Sequence, residues 1–207
     1  MSRTASPEKN EDTRQAILNA AENHFKTYGY AKTTVADIAG TLGMSPANIY
    51  RFFANKQAIN EALAARMLAE VDSGLEAIVK RKGPVAPRLR EMITWLHTET
   101  VRRYISDQKV HDMVTAALAE SWPVVDQHIN HVEAMLTEIV RQGMESGEFS
   151  PAQIPEVSGG CVHAAIAFLA HPTTVAECMP REGLEGLAAQ AQLISEFLCA
   201  ALKHGFM

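Results

Sequence analysis

Cysteine is scarce in this chain: Cys161, Cys178 and Cys199 are the only three. An odd number with no close pair gives no disulfide framework, and a reducing cytoplasm is the expected compartment. Long apolar runs are missing too. The uncharged stretches are alanine-rich and broken by Gly, Pro or His, which excludes a transmembrane helix and any role in the membrane. Met1 to Asp12 is polar and charged, without the apolar stretch of a secretory signal. No Gly-x-Ser-x-Gly elbow, phosphate-binding loop, His-Glu-x-x-His or glycine-rich dinucleotide turn occurs, so nothing points to an enzyme or a bound cofactor. Sustained two-residue alternation and Asn-Gly hairpins are also absent, which leaves little room for strands.

What is present is a chain of 207 residues, 47% hydrophobic and 21% charged, long enough for one domain or two small ones. Its net charge of -5 argues at first against nucleic acid. The charge is unevenly placed, however. Residues 1–60 hold seven bases (Arg3, Lys9, Arg14, Lys26, Lys32, Arg51, Lys56) and five acids (Glu8, Glu11, Asp12, Glu22, Asp37), a net of +2. The remainder holds 12 bases and 19 acids, a net of -7. A mildly basic head sits on an acidic body, and only the head is suited to phosphate.

Helical periodicity runs throughout, and the fold expected is all-α. A first helix is read from Asp12, with Gln15 as capping-box partner and Ile17, Leu18, Ala21, Phe25 and Tyr28 inward. Thr34 and Asp37 form the next capping box, ahead of Val35, Ile38, Ala39 and Leu42 at i, i+3, i+4 and i+7. Gly43 closes that helix, and Ser45-Pro46 opens a third, which carries Ile49, Tyr50 and Phe53 and ends near Ala54-Asn55. A fourth helix spans Lys56 to Val79. Further helices are read around Leu89 to Tyr104, Val110 to Ala119, Trp122 to Val140 (Val125 and Ile129 inward), Pro155 to Ala170 and Leu184 to Leu202.

Two short helices joined by a glycine turn, between Thr34 and Phe53, form a helix-turn-helix. The outward positions of its second helix are small or hydrogen-bonding (Ala47, Asn48, Arg51), so it can enter a major groove, where Asn48 can pair with an adenine edge. Tyr50 and Lys56 stand where a phosphate backbone would pass, and the helix start at Thr34 can meet an anion. An ordinary corner inside a helical bundle has the same outline.

The run Thr33-Thr34-Val35-Ala36-Asp37-Ile38-Ala39, followed by Gly43-Met44-Ser45-Pro46-Ala47-Asn48-Ile49-Tyr50-Arg51-Phe52-Phe53-Ala54-Asn55-Lys56, resembles the N-terminal signature of the TetR family of bacterial transcriptional repressors. The resemblance implies a helix-turn-helix DNA-binding domain over 1–57 and a helical effector-binding and dimerisation domain over 58–207. It implies a homodimer, on a palindromic double-stranded operator, that lets go when a small molecule binds. Carried over by position, Thr34, Tyr50 and Lys56 would hold phosphates, while Ser45, Ala47 and Asn48, with Pro46 beside them, would face the groove. Phe52 stands where many members carry a His that can touch the backbone, and Arg51 would supply that contact instead.

Beyond residue 60 the reading rests on architecture. The last two helices, the first rich in small residues (Gly159, Gly160, Ala164, Ala165, Ala167, Ala170), are candidates for a four-helix dimer interface. Met92, Trp95, Tyr104, Met113, Trp122, Met135 and Phe168 could line an apolar effector site or simply fill the core. His128 and His131, at i, i+3, with His97, His111 and His163 elsewhere, raise metal sensing, but four ligands cannot be placed, and no metal is expected. A DNA invertase or recombinase shares the outline but needs a catalytic domain with strands. A DNA binder without an effector is the other alternative.

Overall fold

A computed structural model describes residues 7–105, 114, 122–152 and 154–205. Most of the helix expected from Val110 to Ala119, with His111 and Met113, lies outside the described residues, as does the side chain of Tyr104. The fold is all-α: the described residues form eight α-helices and no strand. None of these helices is long and apolar enough to cross a membrane. The chain divides into two compact units, and the division falls inside the fourth helix, after Met67.

The first unit contains α1 (Pro7–Tyr28), α2 (Val35–Thr41), α3 (Pro46–Ile49) and the start of α4 (Lys56–Lys80). Its core joins Ile17, Leu18, Ala21 and Phe25 of α1 to Ile38, Ala39, Ile49, Phe53, Ile59 and Leu63. Three local expectations need correction. The first helix begins by Pro7 rather than at Asp12, because the residues between are compatible with helix and bonded within it. The Thr13 hydroxyl donates to the Lys9 carbonyl (2.7 Å), and Gln15 donates to Glu11 (2.9 Å) instead of folding back as a cap. Tyr28, expected inward, is 59% exposed, since α1 ends beside it. The third helix ends at Ile49, and a looser turn carries the chain on to Phe53, whose N–H still donates to the Ile49 carbonyl (3.1 Å).

The second unit contains the rest of α4, then α5 (Val85–Thr100) with a π-helical turn (Val101–Ile105), α6 (Pro123–Glu145), α7 (Pro155–Ala170) and α8 (Pro172–His204). Helix α5 packs on α8, α6 on α7, and α7 on α8. Val71, Leu75, Leu89, Ile93, Leu136, Ile139, Val162 and Leu202 belong to its core. Ile129, read as inward, is 38% exposed, near the first turns of α6. Helix resumes at Pro172, ahead of the segment read from Leu184, which begins just past a non-helical break at Gly183. A proline at the first helical position needs no N–H partner, so Pro172 both ends α7 and opens α8. The expected start falls just after a kink at Gly183, whose φ of 68° lies in the left-handed region. Gly159, expected to serve a dimer contact, lies within the unit: a Cβ there would come 2.7 Å from the Thr137 Cα, so glycine lets α7 close on α6.

Helix ends in this unit are satisfied by distant side chains. Pro84 cannot cap α5 with its own side chain, and the Glu148 carboxylate does so instead. It accepts from Val85 N–H (2.7 Å) and Ala86 N–H (3.0 Å). His97 bonds the Leu169 carbonyl (3.0 Å) and the Thr100 hydroxyl donates to that of Ala170 (3.1 Å), covering the end of α7. Buried Arg88 donates to the Val79 carbonyl (2.7 Å) and to Gln142 (2.9 Å).

Partial burial alone would raise the Glu148 pKa, but the Ala86 and Val85 amides outweigh it and hold it below the ordinary carboxylate value. A carboxyl whose folded pKa is depressed stabilises the fold above its unfolded pKa, about 4.3, and that contribution is lost as pH falls through the folded value. Glu148→Gln should therefore lower stability by about 1–2 kcal/mol at pH 7 and by less at pH 3. Thermal melts at the two pH values measure the difference, and an equal loss at both would count against the charged cap.

Candidate nucleic-acid interface

The chain leaves α1 through Gly29, whose N–H closes the helix on the Phe25 carbonyl (2.9 Å), and reaches α2 in a few residues. Thr33, 2% exposed, folds its hydroxyl back to the Gly29 carbonyl (2.9 Å). The capping box read from Thr34 and Asp37 is present: Asp37 N–H donates to the Thr34 hydroxyl (3.2 Å), and Thr34 N–H donates to the Asp37 carboxylate (2.8 Å). The Thr34 hydroxyl also donates to that carboxylate (2.7 Å), which holds the Asp37 pKa below its ordinary value, with the Thr34 backbone bond adding to the effect. Thr34, named for an anion, is thus engaged by its own acid at the helix start.

The turn between α2 and α3 is closed by Met44 N–H on the Ala39 carbonyl (2.9 Å) and passes through Gly43 at φ 61°. Ser45 then caps α3, its hydroxyl accepting from Asn48 N–H (3.3 Å), with Pro46 in the first turn as read. Ile49 is buried below, and Ser45, Pro46, Ala47 and Arg51 are exposed above. The Asn48 carboxamide is half-buried and has no hydrogen-bond partner among the described residues. Tyr50 is 52% exposed. Phe52 packs against the head core, and the Arg14 guanidinium lies over the Phe53 ring, 4.8 Å from its centre. The arrangement is a short, rigidly capped helix whose outer surface keeps hydrogen-bonding groups available.

Lys56, expected at a phosphate, is also bonded within the head. Its ammonium donates to the carbonyls of Tyr30 (2.8 Å) and Thr33 (3.0 Å) and lies over the Tyr30 ring, 4.3 Å from its centre. Tyr30 was missed in the sequence because it is 26 residues from Lys56, beyond any local pattern. Asn55 caps α4, accepting from Ala58 N–H (2.8 Å). Arg66 of α4 bonds Asn19 (2.8 Å) and Glu22 (2.5 Å) of α1.

Four of the candidate effector-site residues lie in or against one apolar core of the second unit: Met92 and Met135 are buried in it, and Trp95 and Phe168 are partly buried against it. Trp122 is buried but groups with the first unit. Tyr104 contributes backbone to the π-helical turn, and Met113 lies outside the described residues. His128 and His131 share the Asp72 carboxylate, which His131 meets at 3.7 Å. His128 bonds Asp72 (2.7 Å), and its burial holds its pKa below the ordinary value despite that acid. His131 lies near Glu76 (3.4 Å) and His163 near Glu133 (3.4 Å). No group of three or more His, Cys, Asp or Glu among the described residues is placed to hold a metal ion. Burial raises the Cys199 thiol pKa, and no described cysteine is paired.

A capped helix-turn-helix in an all-helical chain defines a DNA-binding transcriptional regulator, and comparison with known proteins agrees. Residues 17–63 match the bacterial regulatory proteins of the tetR family, and 86–189 match the tetracyclin repressor-like C-terminal domain. The transcriptional regulator TtgR of Pseudomonas putida is 30% identical over 153 residues, 68% of this chain and 72% of its own. An uncharacterised helix-turn-helix regulator of Mycobacterium tuberculosis is 31% identical over 107 residues, 47% of this chain, and the match spans only 57% of that relative's length. The solved structure of SmeT, repressor of the Stenotrophomonas maltophilia multidrug efflux pump SmeDEF, superposes with a TM-score of 0.65. The identity is 20%, over 91% of this chain and 89% of that one. The chain belongs to the TetR family.

Because the Thr34 hydroxyl serves the cap, Thr34→Ala should destabilise the head by about 1 kcal/mol even without DNA. Denaturant melts of the free protein test this, and an unchanged midpoint would remove the structural role.

Proposed function

We propose that this regulator is a cytoplasmic homodimeric repressor that binds a palindromic operator and is released by an apolar small molecule. The reading of DNA rests on one observation: α3 is held from below by Ile49 and at its start by Ser45, while Asn48 and Arg51 remain available above. Ser45, Pro46 and Ala47 are small enough for close approach to base edges, with Asn48 the base-reading group and Tyr50 and Arg51 on the backbone. Selection from a randomised duplex library should yield an inverted repeat with half-sites about 34–36 Å apart, or a multiple of that distance. Asn48→Ala should relax preference at one position per half-site by about 1–3 kcal/mol. Unchanged base preference would displace Asn48 from that role.

The dimer reading is supported by apolar residues left outward on the last two helices. Val157, Cys161, Ala164 and Ala165 form an exposed stripe on α7, and Leu193 and Phe197, 65% and 71% exposed, do the same on α8. Side chains of this size, spaced four apart, favour a second apolar surface. Leu193→Glu with Phe197→Glu should convert a dimer to a monomer in sedimentation and abolish tight operator binding. A wild-type monomer at micromolar concentration would sink the model.

The effector reading rests on Met92, Met135, Trp95 and Phe168, all in or against one apolar core, whose flexible thioethers and flat rings can repack around an apolar guest. SmeT has also been solved as a complex with triclosan. A ligand present at 100 times its dissociation constant should stabilise the protein by about 2.7 kcal/mol, readable in a thermal-shift screen. By linkage, a ligand that weakens operator binding must bind less tightly to the DNA-bound dimer.

A further inference from the structure

Helices α4 and α6 meet along a polar seam in the second unit. Asp72 and Glu76 stand one turn apart on α4, and His128 and His131 one turn apart on α6. The oxygens of the two acids are divided. One Asp72 oxygen meets His128 Nδ1 (2.7 Å), and one Glu76 oxygen is paired with Lys80. The other oxygen of each acid turns to the same ring: Asp72 to His131 Nδ1 (3.7 Å) and Glu76 to His131 Nε2 (3.4 Å). Both distances exceed those of a made hydrogen bond, about 2.7–3.2 Å. Other charges on these two helices pair elsewhere, Glu133 with His163 of α7 (3.4 Å) and Glu70 with Arg103 (2.7 Å).

A neutral imidazole has one N–H, so His131 can donate to one of its two acids and must present a lone pair to the other. An imidazolium donates to both. His128 is already a donor to Asp72, and its burial disfavours the charged ring. We propose that His131 is a proton-operated clamp between α4 and α6, slack when neutral and closed when protonated, and that it opposes entry of the apolar effector. This rests on the effector reading above. The His131 side chain is 41% exposed, so a proton reaches it without the core opening. The same helices hold the candidate effector residues. Met135 lies one turn along α6 from His131, and the Trp95 ring packs on α4 at Gly74, where a Cβ would overlap it. A guest that displaces Met135 or Trp95 presses on α6 or α4, against the clamp.

Thermal melts of wild type and His131→Gln at pH 6 and pH 8 test the clamp. Gln can donate to one acid but takes up no proton. The clamp stabilises the fold below the ordinary imidazole pKa, about 6.5, and its contribution is lost above it. The gap in Tm between wild type and variant should therefore be about 1–3 °C wider at pH 6 than at pH 8. In a Glu76→Gln background, which leaves the ring one acid, the widening should shrink. A gap that is equal at both pH values, or wider at pH 8, overturns the proposal.

Nile red, a neutral apolar dye, serves as the probe of the effector site. Wild type should bind it about two- to fivefold more weakly at pH 6 than at pH 8, and His131→Gln equally at both. Weakening by the same factor in the variant, or none in wild type, overturns the opposition to the guest. Wild type that binds no Nile red at either pH would instead count against the apolar effector site, and the melts alone then decide the clamp.

Discussion

The reading head depends on one charged group. The Lys56 ammonium draws together two carbonyls from the connection between α1 and α2, and it does so from the first residue of α4. Three helix boundaries meet at that point: the end of α1, the start of α2 and the start of α4. Without it, the Tyr30 and Thr33 carbonyls would need water or another donor, since unpaired backbone acceptors are costly when removed from solvent. Thr33 is buried and bonded to Gly29, so the segment between them has little freedom to supply an alternative. The capping box that begins one residue later inherits this fixed position. Through α2 and the short turn at Gly43, so does α3.

Interactions that close within three or four residues could be read from the sequence. Thr34 with Asp37, and Ser45 with Pro46, announce helix starts because the partners lie within one turn. The two-helix motif followed from them. The contacts that hold those elements in place are of another kind. Lys56 reaches back 26 residues to Tyr30, Arg66 reaches 44 to Glu22, and Glu148 reaches 63 to Val85. Nothing at either end of such a pair marks its partner, and charged residues at these positions read equally well as solvated surface. Lys56 was assigned outward for that reason, from the family pattern and from its sign. The error at Asp12 has a different origin. A good local cap at Asp12 was outweighed by helix-compatible residues before it, and a helix stop at Pro172 is equally a helix start.

Net charge is a coarse guide to this surface. A sum of +2 over residues 1–60 suggests a head that attracts DNA all over, yet internal contacts redistribute that charge. Ion pairs with Glu22 neutralise part of it, aromatic rings shield part, and two carbonyls face the Lys56 ammonium. Among the described residues, the exposed cations without an ion pair include Lys32 and, just after α3, Arg51. Such a head has few charges to spend on non-specific attraction, so hydrogen bonding from α3 must supply a large share of its discrimination.

A single head of this kind presents one exposed helical turn, with Asn48 the one amide on it. Each well-made base contact contributes about 1–3 kcal/mol of discrimination, too little alone to find one site among the many competing ones in a genome. Two heads held together roughly double that figure and make the second contact intramolecular. The outward Leu193 and Phe197, in the acidic part of the chain and far along the sequence from any DNA-facing residue, are consistent with that demand. In the proposed dimer, an apolar surface there would join two copies without placing further positive charge near the operator. The proposed ligand would then act on the same quantity that recognition uses, the spacing of two weak readers.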